Sequence, residues 1–132
     1  MNWEIFYKSG ATVTGAVVGY LFGGWSVLLQ VLLTFAAFDY LSGLLASGVE
    51  GKLNSKIGFK GIAKKLMMFC LVALGHLIDK TMGEGDTVQS AIIFFYLGNE
   101  GLSILENAGR TGLPVPKQIK DAVQVLKGRG SK

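Results

Sequence analysis

Asp39 interrupts a stretch that carries no charged side chain from Ser9 to Phe38, and Glu100 follows the apolar run from Ala91 to Leu97. Lys64 and Lys65 stand at the head of a third apolar run, Leu66 to Ile78. A charge at membrane depth costs roughly 2.5 to 3.5 kcal/mol on insertion scales, so such residues are held by a partner or by function. The chemistry open to them is ion pairing, or proton binding by a carboxyl in an apolar site. Counted along helices, Asp39 and Glu100 both lie some ~12 Å below the same interface. Lys64 and Lys65 enter from that side with stems long enough to approach the layer, so pairing of Asp39 or Glu100 with Lys65 is geometrically reasonable. The alternative is that the carboxyls only satisfy the fold.

Two further patterns accompany this layer. Glu100, Ser103, Asn107 and Arg110 recur at i, i+3, i+7 and i+10, with Asn99 and Glu106 on their flanks. One helix face is therefore polar, and in a membrane it must turn to other helices or to water. Either an inter-helix hydrogen-bond seam or the lining of an aqueous lumen meets that demand. Ala11, Gly15, Gly19 and Gly23 fall four apart, a small-residue face that lets another helix backbone approach closely. The stripe does not identify its partner: the chain's own second helix and a second subunit both remain open.

These residues need helices in lipid to position them. Half of the 132 residues are apolar, only 17% are charged, and glycine supplies 19 residues against 2 prolines. That composition opposes a soluble globule and suits close-packed membrane helices. The adjacent glycines Gly23 and Gly24, followed by Trp25, divide the long apolar stretch at an interface. Helices are expected at about 5–22, 25–47, 62–80 and 88–107, forming a transmembrane domain over 1–108. The fold class is an all-α integral membrane bundle of three to four spans, with a basic tail over 109–132. Lys64, Lys65 and Asp79 are expected to reach toward the headgroups and extend the short third run to a span.

The net charge of +4 does not point to nucleic acid, because the charges are segregated into connectors. Between Val49 and Lys65 five lysines face Glu50 alone, whereas Asp79, Glu84 and Asp86 face Lys80 in the next connector. The positive-inside rule places the first connector and the tail in the cytoplasm. In the tail, Ile119, Ala122, Val123 and Leu126 share one helical face, with Lys117, Lys120, Gln124 and Lys127 elsewhere. This suits a short amphipathic helix on an anionic membrane surface, or a solvated appendage. With one cysteine, Cys70, and one histidine, His76, there is no disulfide framework, and neither a metal site nor a catalytic arrangement is expected. No cofactor is expected, and His76 reads as a packing or interfacial residue.

Several segments in order resemble the phage lysis and toxin-secretion holin family. They are Gly23-Gly24-Trp25, Phe38-Asp39-Tyr40-Leu41-Ser42-Gly43, Lys56-Ile57-Gly58-Phe59-Lys60-Gly61, and the Asn99-Glu100 to Glu106-Asn107 stretch followed by Gly112-Leu113-Pro114-Val115-Pro116. The resemblance implies a small non-enzymatic protein of the bacterial cytoplasmic membrane. It would form homo-oligomers among membrane lipids and open a large non-selective lesion. Through that lesion an endolysin would reach the wall, or a large toxin would leave, without a required direct contact. Members are often drawn with three spans, fewer than the four helices preferred from the apolar runs. Two other classes fit the residues: a small proton-coupled transporter using the embedded Glu100, and an inert adaptor that recruits a partner through its basic tail.

Overall fold

Side-chain caps set the first three helices. Asn2 accepts from the Glu4 N–H, Ser26 from Leu29, and Asn54 from Ile57, each satisfying a donor that a helix start leaves unpaired. In the computed structural model, which describes residues 2–83 and 85–130, the helices are α1 (Trp3–Phe22), α2 (Val27–Val49), α3 (Ser55–Met82), α4 (Thr87–Arg110) and α5 (Lys117–Gly130). Glu84 of the acidic connector and Lys132 of the tail lie outside the described residues. Gly23 and Gly83 end α1 and α3 in the left-handed conformation, at φ 79 and 68°.

α3 begins well before the expected residue 62. Lys56, Lys60, Lys64 and Lys65 belong to it, and the basic connector shrinks to the few residues between Val49 and Ser55. Lysine is a good helix former, and Asn54 supplies the cap that starts the helix early.

The start of α4 is capped from another helix. Asp86, next to its first turn, makes no side-chain cap bond. Instead the Asp79 carboxylate of α3 accepts from the Val88 N–H at 2.8 Å and the Gln89 N–H at 2.9 Å. Asp79 is buried, so its side chain turns into the α3–α4 junction rather than toward headgroups as the sequence suggested. Two backbone donors in an apolar setting hold it there more firmly than the interface would.

Leu29, Leu32 and Ala36 of α2 meet Met68 and Val72 of α3 and Ile93 and Leu97 of α4 in one core. α4 is central: it packs against α2, α3 and α5. Large apolar side chains on the other faces stay exposed, among them Phe38, Leu41, Leu45, Leu66 and Met67. Lipid is the solvent that accommodates such a surface. Three helices, α2, α3 and α4, are long and apolar enough to cross a membrane. α1 is not among them, since Glu4, Lys8 and a run of Ser, Gly and Thr dilute its hydropathy. The chain is an all-helical, multi-pass membrane protein.

Among the described residues α1 packs along α3 and contributes no buried residue. It is anchored at its C-terminal end, where Phe22 meets Phe69 edge-on, Lys80 lies over the Tyr20 ring and Gln89 Nε2 donates to the Phe22 carbonyl at 2.9 Å.

Candidate functional site: a charged seam between three helices

One charged side chain from each candidate span meets in a single layer. The Lys65 ammonium of α3 donates to Asp39 Oδ2 of α2 at 2.7 Å, and to Glu100 Oε1 and Oε2 of α4 at 3.1 and 3.2 Å. The three side chains are largely withdrawn from the surface, with exposures of 18, 14 and 10% for Lys65, Asp39 and Glu100. Two carboxylates around one ammonium leave a net negative charge when all are ionised, so further donors are needed. Asn107 supplies one: its Nδ2 donates to Asp39 Oδ1 at 3.1 Å, to the Asp39 carbonyl at 3.2 Å and to Ser42 Oγ at 3.0 Å.

The seam continues toward the α2–α3 connector. Arg110 Nη1 donates to Asn107 Oδ1 at 3.0 Å, Nη2 to Ser47 Oγ at 3.4 Å, and Nη2 and Nε to Glu50 Oε1 at 2.6 and 3.2 Å. The Arg110 guanidinium holds the Glu50 carboxyl below its ordinary value of 4.5, chiefly by these hydrogen bonds. From Glu100 to Arg110 the network follows ~15 Å of α4. Among the described residues no buried side-chain polar atom lacks a partner, as the polar satisfaction of a low-dielectric interior demands.

The expected polar residues divide between this seam and its margins. Glu100, Asn107 and Arg110 form it, while Ser103 sits half-buried beside Lys65, lining a crevice of about 210 Å³ with Tyr40 and Glu106. Glu106 is exposed and Asn99 half-buried; Asn99 lines a separate crevice with Lys64. Lys64 itself is exposed, and the ion pairs belong to its neighbour Lys65. In this conformation Glu100, Asn107 and Arg110 on the polar face of α4 are turned to α2 and α3.

The small-residue stripe lies elsewhere. Ala11, Gly15 and Gly19 are exposed, and a Cβ built on Gly15 or Gly19 would meet nothing within 4 Å. Among the described residues α1 does not pack along α2, and this face is open. Gly23 is different: a Cβ there would fall 2.6 Å from His76 Cε1, which packs α3 against the α1–α2 turn.

Asp79 and Gln89 are structural anchors that the sequence reading did not single out for these roles. Their signal was a polar side chain at the rim of an apolar run, which is also what a residue at a membrane surface looks like. Among the described residues no group of three His, Cys, Asp or Glu side chains is placed to hold a metal ion.

The profile of the bacteriophage holin family matches residues 16–128, which include every member of the seam. The chain belongs to the bacteriophage holin family. It is 47% identical to an uncharacterized protein of Halalkalibacterium halodurans, across 98% of this chain and 99% of that one. An uncharacterized protein of Listeria innocua is 51% identical, across 93% and 88% of the two chains. An uncharacterized 14.9 kDa protein of Clostridium perfringens is 33% identical, across 94% and 95%. No solved structure matches this holin-family chain.

Proposed function

We propose that the chain is a holin: it gathers in the bacterial cytoplasmic membrane and opens a non-selective lesion through which an endolysin or a large toxin passes. The observation that carries this reading is the Lys65 ammonium bridging Asp39 and Glu100 across three apolar helices. A polar α4 face closed by two partner helices has a second stable arrangement, in which the same face lines water within an assembly. The ion-paired seam favours the closed arrangement, and accumulation of subunits shifts the balance to the open one. By the positive-inside rule the α2–α3 connector and the C-terminal connector face the cytoplasm, with α2 entering from the outside.

Expression in bacteria with a potential-sensitive dye and graded fluorescent proteins tests this. A sudden loss of potential with passage of whole proteins is expected. A tight membrane with substrate-dependent flux would instead indicate a transporter, and permeability only to small ions would refute a lesion large enough for an enzyme.

A further inference from the structure

α5 is a separable module. Among the described residues its helix contacts are with α4 alone. Gly98 and Gly101 form the floor of a groove there: a Cβ on Gly98 would fall 2.6 Å from Lys127 Cα and 2.7 Å from its backbone nitrogen. A Cβ on Gly101 would fall 3.0 Å from Val123 Cγ1. Val123 is buried, and Arg129 lies over the Phe94 ring farther along α4. Only glycine permits backbones this close, so the groove is shaped to a helix rather than to lipid.

The tether to this module is short and stiff. After Gly112, at φ 96°, residues 113–116 run without helix, and Pro114 and Pro116 favour extended backbone. Transfer of α5 to the equivalent groove of another chain preserves every α4–α5 contact and changes only the tether, the condition for exchange between copies.

Depth supplies an independent reason for a second chain. Gly98 lies ~18 Å along α4 from Arg110, so α5 is seated beside the middle of a candidate span. On the side of the helix away from Val123 it carries Gln118 and Asp121, both exposed. Acyl chains are a costly neighbour for that face, whereas another subunit or assembly water is not.

We propose that the α4 groove at Gly98 and Gly101 receives the α5 helix of a second copy of this chain, linking subunits head to tail. Such a heterologous contact is not self-limiting unless its rotation closes a ring. The proposal rests on the holin reading only for its consequence, growth into a lesion; the contact itself is independent of it.

The test uses two full-length chains with different epitope tags, both with Cys70→Ser. One carries Gly101→Cys and the other Val123→Cys, so any disulfide between them joins two chains. After co-expression and oxidation in isolated membranes, a mixed-tag dimer is expected at several-fold the yield of a Gly101→Cys and Asp121→Cys pair, whose second site lies on the side of α5 away from Val123. A second pair, Leu105→Cys and Lys120→Cys, spans a crevice lined by both side chains and leaves the groove glycines intact; a short bismaleimide should join it between chains. Absence of mixed-tag product from both pairs, with both chains present in the membrane, overturns the proposal. Dye leakage from the same cells separates the readings. Linkage without leakage removes the lesion but keeps the exchange, and leakage without linkage removes the exchange alone.

Discussion

Lys65→Met tests the seam most directly, because it removes the ammonium while keeping an unbranched side chain. With exposures of 18% for Lys65 and 14 and 10% for its partners, the group qualifies as a buried ion cluster. Loss of one member of such a cluster costs about 3 to 5 kcal/mol, since the remaining charges stay buried without compensation. At about 1.4 kcal/mol per factor of ten, the separated population rises roughly a hundred- to several-thousand-fold. Glu100→Gln is milder: the 2.7 Å pair of Lys65 with Asp39 survives, while of the two bonds to Glu100 one is lost and the other becomes neutral, at a cost of about 1 to 2 kcal/mol. Adding Glu100→Gln to Lys65→Met should recover stability by removing one of two facing carboxylates. The assay is denaturing-detergent titration of the helical bundle in mixed micelles, paired with the interval from induction to loss of membrane potential. Lys65→Met should unfold earliest and shorten the interval most. The reasoning fails if Lys65→Met matches the parent, or if the second substitution makes the first one worse.

Asp79→Asn leaves only one carbonyl oxygen to accept where two carboxylate oxygens accept now, and should cost about 1 to 3 kcal/mol; hydrogen exchange should accelerate first at the Val88 and Gln89 amides. Gly15→Leu with Gly19→Leu fills open space and replaces two poor helix formers, so α1 should gain about 1 kcal/mol of helix stability while lysis is delayed or lost; unchanged lysis timing would remove the stripe from the assembly interface. For the clasp of Glu50 and Arg110, the lowered Glu50 value means the contribution is complete above about 4.5 and disappears as pH falls through the lowered value. Hydrogen exchange around the end of α2 should quicken on that acid side in the parent and show no such step in Glu50→Gln.

The charged layer was legible because an ion within an apolar run must find a partner, and a helix rise of 1.5 Å per residue converts position into depth. Which of the two carboxylates Lys65 would take was not legible, since the rotation of α3 is set by its packing, and the ammonium bridges both. The early start of α3 was hidden by its lysines, which lower hydropathy without weakening a helix. Asp79 resembled a surface residue because its partners are backbone amides of the next helix, a contact with no signature in side-chain pattern. The apolar face of α5 was readable, but its place was not. A tail rich in lysine suggested a helix lying apart from the bundle, whereas close backbone approach at Gly98 and Gly101 seats it along α4. Of the apolar face read for a membrane surface, Ile119 and Ala122 are exposed, and Val123 carries the contact with α4.

A first helix with nothing buried behaves as a paddle mounted on a finished bundle. The outer part of this paddle buries no side chain against that bundle. Its sequence can drift with little penalty in folding, while each change alters what a neighbouring molecule encounters first. If the chain is the holin proposed above, its timing can thus be retuned at one end with the interior left as it is.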